Sequence, residues 1–384
     1  MIAKDYIERR LNLHNLLPKN SITIVYARDL LHRIPTIPYR FNQFSDYLYL
    51  TGLNRPSGAL VIYTKNNSPV STLFLPKLTE EEEKWSVLSS IKFDDATKTS
   101  GVNSIYPLSE FSNWISSLIR QNPDHTVFAS LPPHQSSPFP FHLLSPYLDR
   151  LRVIKSPKEI SLMKKASSIT TQALTKVLPT VAPGLFERQI AARFEDACVS
   201  LGATGLAYPI ECQSGRNSLC LHYMENSGVL QEGETLLIDA GCEVDGYASD
   251  FTRTVPIGKV ATVKKVVLEI VEKAKDALVK SVSQGNLRTL NQINNEAQKV
   301  LLNGLHEIGI KTDLNGLSQY FPHRVSHWIG LDVHDCTTID GDFEIKKGCA
   351  FSVEPGLYFR PNIKGCPKEL VGFGVRFEDT VIIE

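Results

Sequence analysis

The chain has 384 residues, which is more than one typical domain and enough for two. Hydrophobic residues make up 42% and charged residues 21%, as in ordinary globular proteins. Lysine plus arginine and aspartate plus glutamate each number 41, so the formal net charge is zero, and we expect no nucleic-acid or membrane partner.

The cysteines and the N-terminus bear on the compartment. Seven cysteines, an odd number without a CxxC pair, favour reduced thiols in a cytosol-like compartment over a disulfide framework. Residues 1–20 lack the apolar core of a secretory signal and carry Asp5 and Glu8, which transit peptides normally avoid. Either no targeting segment exists or one lies upstream, so a cytoplasmic location is one expectation.

The first part of the chain alternates apolar runs with polar turns. Runs rich in Ile, Val, Tyr and Leu predict strands, and apolar residues at helical spacing predict a helix over 108–120. Strands that alternate with helices indicate an α/β layer. The predicted strands are 21–27, 47–51, 59–64, 72–76 and 126–131.

A helix start with three agreeing signals indicates a domain boundary near residue 153. Ser156 can be the N-cap, Pro157 suits the first helical position, and Glu159 completes a capping box. We therefore expect two domains, 1–152 and 153–384.

The second domain has a faint internal repeat. Residues 232–241 resemble residues 347–356, since both run from a turn glycine through an apolar strand to a carboxylate, a small residue and a glycine. This pattern predicts two similar halves that each bring a strand-borne carboxylate to a shared centre. The predicted helices are 156–177, 186–201, 262–282 and 287–308, and the predicted strands 234–242 and 247–255 flank a hairpin signal at Asp245-Gly246.

Two of the candidate functional residues are carboxylates that end apolar strands. Asp239 and Glu354 are costly to bury unpaired, so each needs a cation, a set of hydrogen bonds or a turn. Asp250 lies across the predicted hairpin from Asp239, where antiparallel strands can place both side chains on one face. Two such carboxylates repel unless a proton or a metal lies between them. Neutralisation by Arg253 is the alternative.

A second candidate segment is rich in histidine. Residues 323–335 hold His323, His327 and His334, three of the ten histidines in the chain, interleaved with apolar residues. A single histidine among apolar residues is usually part of the core, whereas three indicate metal ligands or proton carriers.

The third candidate segment lies near the C-terminus. Arg376 and Glu378 are two residues apart in a strand-like run, so their side chains point to the same side. An ion pair is one interpretation, and a metal ligand beside a cationic substrate contact is the other.

These candidates add up to four carboxylates and one imidazole, which is enough for two divalent ions. A donor set rich in oxygen and without cysteine favours Mn, Co or Zn in a catalytic site over a structural zinc site. Two ions about 3.5–4 Å apart can turn a bridging water into hydroxide near neutral pH and polarise a carbonyl. The five residues are Asp239, Asp250, His327, Glu354 and Glu378.

The motifs resemble those of the pita-bread metallopeptidases, the fold of aminopeptidase P, prolidase and methionine aminopeptidase. The similar segments are His-x-x-Ser-His-Trp-x-Gly-Leu-Asp-Val-His-Asp at 323–335, Glu-Pro-Gly-Leu-Tyr at 354–358 and Arg-x-Glu-Asp at 376–379. The resemblance implies an α/β (α+β) chain, with a pita-bread catalytic domain after an α/β domain of the creatinase and aminopeptidase P type. It also implies two divalent ions at the five ligands, Mn²⁺ first and Zn²⁺ or Co²⁺ as alternatives.

The resemblance also assigns roles to individual residues. Glu354 would bind metal and take the proton from the bridging water. His323 and His334 would contact the substrate and stabilise the transition state, and His222 would lie near the scissile bond. Tyr358 and Arg376 would be further active-site neighbours.

The activity implied is release of the N-terminal residue of peptides, of the Xaa-Pro type, through a hydroxide bridging the two metals. The partners would be peptide or protein N-termini and a second copy of the chain in a homodimer. Residues 6–18 look closest to the mitochondrial, intermediate-cleaving branch, which makes a mitochondrial location the other expectation. Arg324 replaces the usual glycine after the first histidine and bears on substrate preference.

Three other functions compete with this one. A prolidase-like dipeptidase would have the same fold with a different substrate. A catalytically inactive, peptide-binding pseudo-peptidase would have lost ligands, whereas all five are present here. A serine or cysteine hydrolase is disfavoured, because no Gly-x-Ser-x-Gly segment occurs and Ser326 has no evident base.

Overall fold

The structure is a computed structural model, and it describes residues 1–85, 93, 95–130 and 139–384. Contacts within the chain divide it into two compact units, Met1–Leu151 and Arg152–Glu384. In the part of the chain that is described, no helix combines the length and the apolar character needed to cross a membrane.

The first unit is built around a mixed six-stranded sheet. Its central strand Ser21–Tyr26 pairs antiparallel with Ala59–Lys65 and parallel with Thr126–Ser130. The strand order across the sheet is Ser104–Pro107, Ser68–Leu75, Ala59–Lys65, Ser21–Tyr26, Thr126–Ser130 and His142–Leu143. A short hairpin, His32–Ile34 with Ile37–Pro38, stands apart from it. The helices are Ala3–Leu16, Ser45–Thr51, Glu80–Trp85, Ala96–Ser100, Phe111–Gln121 and Ser145–Arg152, with a 3₁₀ turn at Leu108–Glu110.

The predicted strand 47–51 is wrong, because this segment is the helix Ser45–Thr51. Its alternation of tyrosine and leucine resembles a strand, but Tyr47, Leu50 and Thr51 are buried together at helical spacing. Gly52 then ends the helix with φ 70° in the left-handed region. The other four predicted strands are present with shifted ends, and residue 131 lies outside the described residues.

The second unit begins with the predicted helix, and its cap is confirmed. The Ser156 hydroxyl accepts a hydrogen bond from the Glu159 backbone N–H, and the Glu159 carboxylate accepts one from the Ser156 N–H at 2.8 Å. All four predicted helices are present. Their bounds are Pro157–Val177, Glu187–Ser200, Thr262–Ser283 and Leu290–Glu307. A short α-helix lies at Leu314–Leu317, and 3₁₀ turns lie at Leu178–Thr180, Gly215–Leu219 and Lys368–Leu370.

Short antiparallel strands form the sheets of this unit. Thr235–Asp239 lies between Glu211–Ser214 and Thr252–Pro256. The predicted strand 234–242 is interrupted at Gly241, where a Cβ atom would come within 1.8 Å of the Ser249 carbonyl oxygen. The remaining pairs are Cys242–Val244 with Tyr247–Ala248 and with Gly205–Leu206, Ala350–Val353 with Asp379–Ile382, and Gly356–Phe359 with Phe373–Arg376.

Strand alternation directs the key carboxylates away from the apolar cores. Leu236 and Ile238 belong to one buried cluster with residues of the first two helices. Phe351 and Val353 belong to another with residues of the later two. Successive side chains of a strand face opposite sides, so Asp239 and the residue after Val353, Glu354, extend toward the other face. The fold thus has a core in each half and leaves both carboxylates free for a site.

Candidate metal centre and active site

All five predicted ligands line a single pocket of the second unit. Asp239 ends the strand Thr235–Asp239, and Glu354 directly follows the strand Ala350–Val353. Asp250 and Glu378 lie in the short connections before and after neighbouring strands. His327 is held against the edge of Ala350–Val353, because its carbonyl accepts a hydrogen bond from the Ser352 N–H at 2.9 Å. Strand ends from both halves therefore converge.

Three of these side chains form a possible metal site. Donor atoms of Asp250, His327 and Glu378 all lie within 4.8 Å of one another. The Nε2 atom of His327 is 3.4 Å from Asp250 Oδ2 and 3.5 Å from Glu354 Oε1. The imidazole thus faces two carboxylates at once.

Two of the five side chains, Asp239 and Asp250, share a hydrogen-bonding partner. The Tyr208 hydroxyl lies 2.7 Å from Asp239 Oδ1 and 2.5 Å from Asp250 Oδ1. A hydroxyl carries one proton, so it can donate to only one of these carboxylates at a time. Asp239 Oδ2 accepts a second hydrogen bond from Arg376 Nη2 at 2.5 Å. The Tyr208 phenol and the Arg376 guanidinium are too few hydrogen-bond donors for all the carboxylate oxygens gathered here.

Glu378 shows the deficit most clearly. Its side chain is only 1% exposed, and the Thr252 hydroxyl donates to its Oε2 atom at 2.7 Å. Its Oε1 atom is buried and has no hydrogen-bond partner in the described structure. A buried, unpartnered carboxylate oxygen is costly, and such orphans mark strain or a missing ligand.

The pKa shifts agree with crowded negative charge. Burial raises the pKa of Glu378 well above its usual range, and the carboxylates of Asp250 and Glu354 raise it further. Burial also raises the pKa of Glu354 to about 7, although His327 and Arg376 act in the opposite direction. Burial works to lower the pKa of His327, but its hydrogen bond to Asp250 and the charge of Glu354 raise it to about 9.

A divalent cation fits this donor set. The atoms available are carboxylate oxygens and one imidazole nitrogen, the ligand types of Mn, Co and catalytic Zn sites. A cation would supply the partner that Glu378 Oε1 lacks and would offset the repulsion that raises the pKa values. The side chains alone do neither.

The two arginines considered as neutralising partners behave differently. Arg253 donates to Asp379 Oδ1 at 2.7 Å and to the Glu378 carbonyl, so the alternative in which it neutralises Asp250 or Asp239 is wrong. Arg376 forms its ion pair with Asp239, which belongs to the other half of the second unit. It also donates a hydrogen bond to the Tyr358 hydroxyl at 2.7 Å. It therefore belongs to the site without pairing with Glu378.

His323 has protein partners for both ring nitrogens. Nδ1 lies 2.8 Å from the Arg324 carbonyl oxygen and Nε2 lies 3.0 Å from the Tyr358 hydroxyl. A carbonyl only accepts, so Nδ1 carries the proton and Tyr358 donates to Nε2. Burial and the charge of Arg376 lower the pKa of His323 to about 3, consistent with this neutral form.

The other two histidines face the open part of the pocket. His222 and His334 are exposed, and their rings lie 6.2 Å apart between centroids. The His334 ring also contacts His327 edge-on at 4.4 Å. Within the described structure neither histidine has a hydrogen-bond partner, so both are available to a ligand in the pocket.

Ser326 is placed beside the ligands but has no activating base. Its hydroxyl is buried without a hydrogen-bond partner among the described residues. A serine nucleophile needs a base within hydrogen-bond reach, so the serine hydrolase alternative has no support.

Reasoning from the sequence missed three residues next to the predicted ligands. Tyr208 and Thr252 contact the carboxylates directly. Glu211 pairs with Asp239 across the sheet, and burial together with the Asp239 charge raises its pKa to about 8. Tyr208 and Thr252 carry no charge and show no distinctive spacing. Glu211 begins the buried strand Glu211–Ser214, and because Gln213 and Ser214 are polar, no apolar run marks it in the sequence as one marks Asp239.

The fold and the donor set define a metal-dependent hydrolase centre held between two halves of one unit. The sequence comparison is more specific. Residues 161–384 match the model of metallopeptidase family M24, and residues 6–128 match the N-terminal domain of aminopeptidase P. The chain therefore belongs to metallopeptidase family M24.

Individual relatives agree with the family. The mitochondrial intermediate cleaving peptidase 55 of Arabidopsis thaliana is 31% identical over 99% of this chain and 78% of its own length. The Xaa-Pro aminopeptidase of Haemophilus influenzae is 30% identical over 99% of this chain and 92% of its own.

Solved structures show the same fold over the whole chain. Aminopeptidase PepP of Pseudomonas aeruginosa is 28% identical with a TM-score of 0.88, covering 100% of this chain and 93% of that one. A variant of E. coli aminopeptidase P in complex with substrate is 27% identical with a TM-score of 0.89 at the same coverage. The protein is thus a metal-dependent aminopeptidase with the pita-bread fold, and the dipeptidase and pseudo-peptidase alternatives are not favoured.

Proposed function

We propose that the protein releases the first residue of peptides whose second residue is proline, using two divalent ions. One observation carries the proposal: four carboxylates and one imidazole converge with a buried oxygen of Glu378 left unpartnered. The relatives named Xaa-Pro aminopeptidase, similar along nearly the full chain, support the proline preference.

The ions would be held by five side chains from both halves of the second unit. Mn²⁺ is our first choice, with Zn²⁺ or Co²⁺ as alternatives, because the donors are mainly carboxylate oxygens. When bound, such ions polarise a carbonyl and lower the pKa of water. The ligands would be Asp239, Asp250, His327, Glu354 and Glu378.

The protein's own groups would bind and orient the peptide. The α-amino group of the substrate would meet a bound ion or a nearby carboxylate in the deep part of the pocket. Glu354 would accept the proton of the attacking water, since its two oxygens face His327 and His323 at 3.5 and 3.7 Å and lie at the pocket surface. His334, unpartnered and exposed, would donate to the developing oxyanion.

The second substrate residue would lie against the rings of His222 and His334. These rings and Leu221 line the pocket and offer flat or apolar surfaces to a pyrrolidine ring. His323, Tyr358 and Arg376 form a hydrogen-bonded chain to Asp239, so they would fix this side of the pocket rather than take up protons.

The remaining proposals concern organisation. Residues 1–152 would be the aminopeptidase P-type N-terminal domain and residues 153–384 the catalytic domain. We propose a homodimer, and a mitochondrial location because of the similarity to the mitochondrial intermediate cleaving peptidase.

Peptide cleavage with defined metal content tests the function. Purified protein stripped with chelator and reloaded with Mn²⁺, Zn²⁺ or Co²⁺ would be given Xaa-Pro, Xaa-Pro-peptide and Xaa-Ala-peptide substrates, with bound metal quantified. We expect metal-dependent release of the first residue from the Xaa-Pro-peptide, and a loss of at least about 100-fold in kcat for Glu354→Gln. Full activity of that variant would overturn the assigned base, and preference for the dipeptide would favour the prolidase-like alternative.

A further inference from the structure

The pocket contains two arginines in opposite electrostatic situations. Arg376 is buried and paired with Asp239. Arg324 also lines the pocket but is exposed. No carboxylate lies within ion-pair distance of Arg324 in the described parts of the chain, so its charge is not neutralised by the protein.

Neutral groups nevertheless hold the Arg324 side chain in place. Its Nη2 atom donates to the side-chain oxygen of Asn291, near the start of the helix Leu290–Glu307. A Cβ atom on Gly341 would come within 2.5 Å of that oxygen and 3.0 Å of Nη2, so glycine leaves room for the contact. The guanidinium is therefore anchored by an amide while most of its five N–H donors stay free.

The deep and the outer parts of the pocket carry different charged side chains. Glu378 and Asp250 are buried, whereas Arg324, next to the partly buried His323, is exposed and belongs to the outer part. A peptide with its amino end at the proposed metal ligands would run outward past this guanidinium. An unpaired cation in the outer part favours a peptide that carries a carboxylate some distance beyond its amino end.

We propose that Arg324 forms a subsite for a carboxylate carried by the part of the peptide after the scissile bond. The proposal rests on the proposed function, which sets the direction of the peptide. Arginine binds carboxylates through two parallel N–H···O bonds, which suits an anchored guanidinium. The carboxylate has two sources with the same chemistry, the C-terminus of a short peptide or an acidic side chain in a longer one.

Matched peptides separate these sources. One pair would be an Xaa-Pro-Xaa tripeptide and its C-terminal amide, and the other a longer amidated peptide with glutamate or glutamine at the third position. For Arg324→Met we expect KM to rise about ten-fold for the peptides with a carboxylate, at unchanged kcat, with little change for their neutral partners. Arg288→Met is the control, since Arg288 is exposed near the same helix but does not line the pocket.

The expected preference for a carboxylate should also shrink as salt is raised. An effect confined to the tripeptide would assign the C-terminal carboxylate, and one confined to the glutamate peptide would assign the side chain. Equal use of charged and neutral peptides by the wild type would overturn the proposal, as would an equal loss for both in Arg324→Met.

A binding measurement keeps this test separate from that of the proposed function. Calorimetry with Glu354→Gln, which should bind peptides without cleaving them, compares the tripeptide with its amide, with and without Arg324→Met. If the metal-loaded wild type cleaves no peptide, the proposed function fails. The ratio of the two dissociation constants still decides about Arg324. If the tripeptide binds about ten-fold more tightly than its amide, and adding Arg324→Met to Glu354→Gln abolishes this difference, the subsite is supported. Equal binding of the two peptides to Glu354→Gln refutes it.

Discussion

At the scale of single residues, Tyr208 contacts two of the proposed ligands although nothing in the sequence marks it. Its hydroxyl is 2.7 and 2.5 Å from oxygens of Asp239 and Asp250, two of the proposed ligands. Burial, followed by the charges of both aspartates, raises its pKa, so it stays a neutral donor. Partners of this kind orient the ligands that bind a metal directly.

Tyr208→Phe should therefore weaken metal binding by about ten-fold, the lower end for loss of such a partner. Competition with a fluorescent chelator would measure the affinity for Mn²⁺. Tyr247→Phe is the control, because the Tyr247 hydroxyl is also buried but donates to Glu159 at 2.8 Å, and Glu159 is not among the residues lining the pocket. Equal metal affinity in both variants would rule out the role given to Tyr208.

At the scale of elements, the start of the helix Glu187–Ser200 organises the loop that carries His222. Glu187 is 0% exposed, and its carboxylate accepts hydrogen bonds from Ser214, Asn217, Tyr223 and Gly228. A carboxylate in the first turn also suits the positive end of the helix dipole. The loop 214–228 is thus closed around one buried charge, beside the pocket.

Glu187→Gln should lower the free energy of unfolding by about 2–3 kcal/mol. Glutamine keeps the shape but offers one acceptor oxygen and an amide that itself donates, so buried donors lose their partner. Urea unfolding would measure the change. Glu195→Gln, an exposed position on the same helix, should change stability by less than about 0.5 kcal/mol. A loss no greater for Glu187→Gln than for this control would contradict the account.

At the scale of the whole molecule, the acidic centre links stability to pH and to metal. Glu354 with a pKa of about 7, Glu211 with about 8 and His327 with about 9 hold protons in the fold that the unfolded chain releases at lower pH. The folded state then binds more protons than the unfolded state, so stability falls as pH rises. The lowered pKa of His323 makes stability rise with pH instead, but only below about pH 6.5, where the unfolded chain protonates this histidine.

Between pH 6.5 and 9, the free energy of unfolding in excess chelator should therefore decrease, and saturating Mn²⁺ should remove most of that decrease. Urea unfolding at a series of pH values, with chelator or with metal, gives the two slopes. Parallel slopes would mean that these groups do not share a site with the metal.

Much of this protein could be predicted from local patterns because the relevant physics acts over few residues. The Ser156 capping box, the helix periods and the cost of ending an apolar strand with Asp239 or Glu354 are all visible along the chain. The helix Ser45–Thr51 differs from the predicted strand 47–51, because burial of Tyr47, Leu50 and Thr51 at helical spacing overrides a short alternating pattern.

The partners of those carboxylates depend on contacts between residues far apart in the chain. Arg376 pairs with Asp239, 137 positions away, and Thr252 reaches Glu378 across 126. No local spacing encodes such pairs, because they form when strand ends from two halves meet. The cost of burying acids is a property of the amino-acid sequence, whereas the identity of the groups that offset it follows from the way the two halves pack.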